Sequence, residues 1–318
     1  MAENPSEKVA VKKKPSATVE IIKRFVKEKP LGTVGAVITL ILLLTAIFAN
    51  LIAPYGMNVS NMGNILAPPS VHFWLGTDNL GRDLLSRVIF GARISVIVGL
   101  TATSLGTILS TIIGLVSGYF GGTLDLIIQR FVDAVICIPM LMLVMLVMSI
   151  LGPGMWQLII VLGIYGGINT SRIIRSAVIG IKGNVYLQAS EAIGCTNSRI
   201  LIKHILPNII APIIVSFTTY LPGVILTEAS LSFLGYGIPP PAPSWGGMLS
   251  ATGLEYMYLS PWMVLWPGIA LTLTVYGVNV FGDALRDILD PRLRGGIGRY
   301  GVKVKKEVVK APGSAAGQ

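Results

Sequence analysis

Charge is scarce in this chain. Of 318 residues only 13% are Asp, Glu, Lys or Arg, whereas 53% are hydrophobic, and mean hydropathy is +0.72. A soluble domain carries about 25% charged residues, so this chain could not cover its own surface with polar groups, and lipid is the expected solvent. Histidine is nearly absent: His72 and His204 are the only two. That excludes a zinc-protease helix, which needs two His four residues apart. Two cysteines, Cys137 and Cys195, exclude a disulfide framework and read as small packing side chains. No Lys precedes Ser or Thr, so the chain lacks a P-loop and does not bind ATP that way. No His falls in an expected span, which removes the base that an intramembrane Ser nucleophile needs. No expected span holds a carboxylate pair; Glu228 comes nearest, at the outer end of the fifth. Ion-coupled carriers keep ionisable groups at membrane depth. A conduit without them needs energy from a partner.

What is present is a series of long uncharged intervals. Lys29 to Asp78 encloses 48 residues, Arg93 to Asp125 31, Asp133 to Arg172 38, Lys203 to Glu228 24 and Glu255 to Asp283 27. About 20 apolar residues cross the hydrocarbon core. The 38-residue interval is divided by LGPG at 151–154, a turn signal, and reads as a helical hairpin. The expectation is an all-α polytopic protein with six spans near 32–53, 94–118, 134–151, 155–178, 207–230 and 261–282. The first is longer than a signal-peptide core and has no convincing cleavage site, so it reads as an uncleaved anchor. The division is a basic cytoplasmic tail (1–31), a first span (32–53), an extracytoplasmic loop (54–93), a five-helix core (94–282) and a cytoplasmic tail (283–318). Within the core lie a polar loop (184–207) and an outer loop (231–260).

Lys and Arg orient the chain. With both termini inside, 22 of the 25 fall on the inner side, and Arg82, Arg87 and Arg93 are the external exceptions. The net charge of +10 is therefore mainly a topology signal. The basic residues sit in tails and at helix ends without interleaved aromatics, which argues against a nucleic-acid surface and allows attraction to anionic lipid.

Residues 188–208, QASEAIGCTNSRILIKHILPN, interrupt this oily pattern. Asn184 can cap a short helix whose apolar residues Tyr186, Ala189 and Ile193 recur at helical spacing. Gly194 suits the left-handed position that ends it. Asn197 can cap a second short helix carrying Ile200, Leu201 and Ile205, with Arg199 and Lys203 nearby, and Pro207 can open the next span. Such a bent pair either inserts into a groove on a soluble partner and passes on its motion, or lies on the lipid surface.

The spacing of this stretch resembles the EAA loop (E-A-A-x3-G-x9-I-x-L-P) of inner-membrane subunits of binding-protein-dependent ABC importers. Here Gln188-Ala189-Ser190 is followed, after three intervening residues, by Gly194 and, after nine more, by His204-Ile205-Leu206-Pro207. The departures are Gln for Glu at 188, Ser for Ala at 190 and His for Ile at 204. The segments WLGTDNLGRDLLSRVIFGARIS (74–95) and EASLSFLGYGIPPPAPSWGGML (228–249) are similar to stretches of the C-type subunit of dipeptide, oligopeptide and nickel permeases. The resemblance implies a non-catalytic permease subunit of the bacterial or archaeal inner membrane. It implies a homologous second permease subunit, two P-loop ATPase subunits that bind ATP and Mg, and an extracytoplasmic substrate-binding protein. Peptides are the first substrate class it suggests. Nickel or another small solute would use similar chains; a stand-alone channel or secondary carrier and a non-transporting membrane assembly factor are the alternatives from other classes. ATPase coupling would fall to Gln188, Ala189, Ser190, Glu191, Ala192, Gly194, His204, Ile205, Leu206 and Pro207. No catalytic residue, metal or cofactor is expected in this chain.

Three further stretches keep two readings each. Asp78, Arg82 and Asp83 either form a docking surface for the binding protein or pair within a self-contained cap. Ser216, Thr219, Tyr220, Gly223 and Thr227, with Glu228 beyond them, form a weakly polar stripe that either lines a pathway or packs helices together. The loop 237–247, stiffened by its prolines, is either a gate rim or a rigid connector, with Trp245 expected as an interfacial anchor. Met140, Met142, Met145 and Met148 read as packing or lipid contacts rather than a selective pore.

Overall fold

The computed structural model describes residues 25–60 and 62–289. Among them there is no strand, only the isolated bridges Ser60–Arg82 and Thr77–Asp83. The helices are α1 (Pro30–Ile47), α2 (Ala49–Ile52), α3 (Leu84–Phe120), α4 (Gly122–Ile136), α5 (Met140–Leu151), α6 (Met155–Lys182), α7 (Val185–Ala192), α8 (Asn197–Phe233), α9 (Trp245–Leu249), α10 (Ala251–Glu255) and α11 (Trp262–Leu289). Five of these, α1, α3, α6, α8 and α11, are each long and apolar enough to cross a membrane. The pair α4 and α5 meets that test only jointly and is bent by 86°.

Five of the expected spans therefore have a helix of their own, and the sixth is present only if the bent pair counts as one span; the boundaries differ throughout. The second span, α3, starts at Leu84 rather than near 94, because Asp83 caps it: its carboxylate accepts from the Ser86 amide at 2.8 Å and the Ser86 hydroxyl at 2.6 Å. At about 1.5 Å per residue its 37 residues reach roughly 55 Å, well beyond a hydrocarbon core of about 30 Å. The third span is not a straight helix over 134–151. It is broken at Cys137–Pro139, where Pro139 removes a backbone donor. The fifth begins at Asn197, so Pro207 lies inside a continuous helix rather than opening one. A π-helical stretch (Ile200–Ile205) and a 3-10 stretch (Leu206–Ile209) absorb the irregularity.

Glycine brings the two central helices together. A Cβ at Gly106 would stand 3.1 Å from the Gly163 carbonyl, and one at Gly114 would stand 2.7 Å from the Ile174 Cβ. Small residues at such crossings let backbones approach, which is what holds helices together where lipid is as apolar as leucine. Val98 and Ala102 of α3, Leu158 and Leu162 of α6 and Val224 and Leu231 of α8 form the main core. Met148 is buried in it, Met140 and Met145 pack against it and Met142 is exposed, so the methionines do not share one lining.

The spans are not free of ionisable side chains: Arg172 and Arg175 lie within the expected fourth span, and each pairs with a carboxylate of α4. Asp125 on α4 meets Arg175 on α6 at 2.5 Å, and Asp133 on α4 pairs with Arg172 on α6. A charge ends an uncharged interval but not a helix: α3 runs back through Arg93 and Arg87 to Leu84. Glu228, on α8, is fully buried. It accepts from the Ser232 hydroxyl at 2.8 Å and the Ser95 hydroxyl at 3.4 Å.

Candidate functional site

The stretch 184–207 forms an elbow in which α7 is one limb and the start of α8 the other. Asn184 occupies the N-cap position of α7, although its side chain makes no capping bond. Gly194 has φ +81°, the left-handed conformation expected for it. The Gly194 amide donates to the Glu191 carbonyl at 2.9 Å and the Cys195 amide to the Ser190 carbonyl at 3.1 Å. That pair of bonds is a Schellman closure, which satisfies carbonyls the helix end leaves free. A Cβ at Gly194 would meet nothing within 4 Å, so glycine serves the backbone angle here and not a close contact. The second limb differs from expectation. Thr196 is its N-cap position, and Asn197 is its first helical residue.

The two faces of the elbow have opposite fates. Leu187, Ile200, Ile205 and Ile209 turn inward against Tyr119 of α3 and Ile174 and Val178 of α6. Each large aliphatic buried this way contributes about 1.5–3 kcal/mol relative to exposure. Ser190 is also buried, its hydroxyl donating to the Tyr186 carbonyl at 2.8 Å, while His204 and Leu206 are half-buried. Outward lie Tyr186, Gln188, Ala189, Glu191, Ala192 and Pro207. Val185 at 79% and Ile193 at 81% exposure are the most open apolar side chains of the elbow. The apolar spacing Tyr186, Ala189, Ile193 read from the sequence is thus a real stripe, but it faces away from the core. The inward residues Leu187 and Ile200 carried only the ordinary signal of aliphatics in a helical stretch. Tyr119, about seventy residues upstream, carried none.

At the other end of α3 the polar cluster is folded in on itself. Asp78 is buried and accepts from the amides of Leu80 and Arg82 at 2.9 Å each, and from Arg82 Nε at 2.6 Å; Arg87 Nε stands 3.5 Å away. Asp83 is buried as the α3 cap. Of the trio singled out in the sequence, only Arg82 remains partly open, and it lines a cavity of about 490 Å³ shared with Arg87, Pro239, Ser244 and Met248. Trp74 and Val71 nearby in sequence are strongly exposed. Trp245 is not an interfacial anchor. It is 2% exposed, and its indole N–H donates to the Val88 carbonyl at 3.0 Å. Glycine at 91 makes room for its ring, since a Cβ there would stand 2.7 Å from it.

The stripe on α8 divides. Thr219 and Gly223 are exposed and Thr227 is half-buried, whereas Ser216 and Glu228 are buried. Tyr220 packs inward, its hydroxyl donating to the Leu162 carbonyl at 3.0 Å. Among the described residues no three His, Cys, Asp or Glu side chains converge as a metal site would require.

The chain matches known proteins along nearly its whole length. Residues 110–295 match the family of inner-membrane components of binding-protein-dependent transport systems, and residues 16–69 match the N-terminal transmembrane domain of oligopeptide transport permease C. It is 41% identical over 289 residues to an oligopeptide transport system permease protein, OppC, of Bacillus subtilis, covering 91% of this chain and 94% of that one. It is 39% identical over 268 residues to a dipeptide permease protein, DppC, of Alkalihalophilus pseudofirmus, covering 84% and 88%. It is 36% identical over 277 residues to a glutathione permease protein, GsiD, of Escherichia coli, covering 87% and 91%.

Proposed function

From the premise that this chain belongs to the family of binding-protein-dependent transport system inner-membrane components, whose members are non-catalytic permease subunits, we propose that it forms half of the peptide pathway of an ATP-driven importer and takes its driving force through the elbow. The observation that carries this reading is the outward face of α7, where Val185, Tyr186 and Ile193 stand exposed on a limb clamped from behind by Leu187 and Ile200. Exposed apolar side chains on a braced helix fit a groove on a partner. A free lipid-facing helix would not need the rear clamp. The partner is an ATPase subunit facing the cytoplasm, one of two, which together bind ATP and Mg. A homologous permease supplies the other half of the pathway.

Alternating access then follows. Closure of the ATPase dimer on ATP pushes both elbows together, the helices open outward, and hydrolysis resets them. The partly open face of α8 at Thr219, Gly223 and Thr227 supplies hydroxyls and backbone for a peptide to pass, while Tyr220 and Glu228 hold that helix in place through Leu162 and Ser95. On the outer side the substrate-binding protein docks near Arg82, with Asp78 and Asp83 fixing the loop that presents it. Short peptides are the substrate class, supported by relatives named for oligopeptide, dipeptide and glutathione transport.

The test is reconstitution of the full transporter with a cysteine at Ile193. A crosslink from that position to an ATPase subunit, together with ATP-dependent peptide uptake, supports the reading. Absence of any such crosslink, or residue 193 labelling only from the outside, defeats it.

A further inference from the structure

The elbow is joined to the rest of the molecule at a point the motif does not include. Tyr119, the penultimate residue of α3, is 6% exposed. Its hydroxyl lies 3.0 Å from Asn197 Oδ1 and 3.4 Å from Glu191 Oε1. Glu191 belongs to the limb before Gly194 and Asn197 to the limb after it, so one phenolic proton serves acceptors on both sides of the hinge. Among the described residues no other side chain from outside the elbow hydrogen-bonds both limbs. Neither Asn184 nor Thr196 caps its limb through the side chain, so the elbow lacks internal ties of that kind.

The base under Tyr119 is stiff. Two residues before it, the Ser117 hydroxyl donates to Asp125, which is held by Arg175 at 2.7 and 2.5 Å; Gln129 donates to Ser117 at 3.0 Å. Those contacts bind the ends of α3, α4 and α6 to each other. A Cβ at Gly118 would stand 2.9 Å from the Val178 Cβ, so α3 sits close against α6 at this level. The Lys182 ammonium lies 5.7 Å over the Tyr119 ring and the Phe120 ring meets it edge-on at 5.2 Å, which fixes the ring's orientation.

We propose that Tyr119 is a positioning residue for energy coupling. Its hydroxyl locks the two limbs at one angle about Gly194, so that a push on α7 moves α3 and α8 as one body. Without the hydroxyl the apolar clamp of Leu187 and Ile200 still seats α7, but no side-chain hydrogen bond from α3 ties it to the second limb, and part of the push is spent in the hinge. The inference rests on the reading that the elbow docks on an ATPase subunit, and α3 then carries the motion outward along its full length.

The experiment uses the reconstituted transporter with Tyr119→Phe, Asn197→Ala and the double variant. Three quantities are read: membrane abundance, the crosslink from Ile193→Cys to the ATPase, and peptide uptake per ATP hydrolysed. Tyr119→Phe keeps the ring and its packing, so abundance, crosslink and ATPase rate are expected to stay near wild type. Uptake per ATP is expected to fall roughly five-fold, the effect of one lost hydrogen bond. Asn197→Ala should fall by a similar factor, and the double variant no further than the lower single, as for residues acting through one contact. Uptake per ATP within two-fold of wild type in Tyr119→Phe, or losses that multiply in the double, overturns the proposal. Should Tyr119→Phe fail to reach the membrane, Asn197→Ala, on an exposed residue, decides alone. A missing crosslink in the Ile193→Cys parent defeats the docking reading, and that outcome is distinct from a parent that crosslinks while Tyr119→Phe transports normally.

Discussion

The two ends of α3 carry the two polar stretches that stand out in the sequence, and they fold in opposite senses. At the Leu84 end, Asp78, Asp83 and Arg87 are buried and spend their hydrogen bonds on their own loop and helix cap. At the Phe120 end, the elbow buries aliphatics and turns Val185 and Ile193 outward. A charged motif in an apolar chain is therefore no guide to a free surface. Desolvated charges must be paired, and the nearest partners are local. Exposed aliphatics beside a clamped helix are the more telling sign, because burial was available to them and the backbone withheld it.

The sharpest way to break the comparison is Asp78→Ala. It leaves Arg87 buried without its carboxylate, which should cost about 3–5 kcal/mol. Loss of folded protein in detergent melting is expected, and a stable variant that merely fails to bind the proposed substrate-binding protein would make Asp78 a surface residue after all. Next comes Gly194→Val, where a β-branched side chain is forced toward φ +81° at a cost of roughly 1–2 kcal/mol. The chain should still reach the membrane while uptake falls about 5- to 30-fold, the scale of that energy. Gly194→Asn should transport far better, since Asn tolerates this conformation and nothing crowds its Cβ; equal loss in both would mean that space rather than angle matters. Ile193→Asp should leave stability within ~0.5 kcal/mol yet weaken ATPase association by about ten-fold, as for an exposed anchor residue, measured by co-purification. The smallest effect is expected for Arg82→Ala. Asp78 keeps Arg87 and two amide donors, so folding holds, and ATP hydrolysis stimulated by the proposed substrate-binding protein should drop about three-fold at low salt and less at high salt.

Much of the elbow was legible along the chain. The glycine's left-handed angle, the helix before it and the spacing of the apolar stripe are local properties, and all appear as expected. Its second limb was misread as a separate short helix because Pro207 looks like a helix start; π and 3-10 turns carry the helix past it. Trp245 was misread for a related reason. An aromatic beside prolines in a membrane protein suggests an interface, and only the cleft opened by Gly91, more than 150 residues away in sequence, turns it into a core residue. The role of Tyr119 had no local trace, since its two partners lie 72 and 78 residues further on.

Solvent preference and helical content belong to the chain read on its own, because transfer free energy and backbone hydrogen bonding act residue by residue and turn by turn. Which way each face points does not. Whether Asp78 is buried and paired, whether Ile193 looks outward, and whether Tyr119 reaches both limbs of the hinge depend on helices meeting from distant parts of the chain, and a contact between such residues comes into being only once they pack.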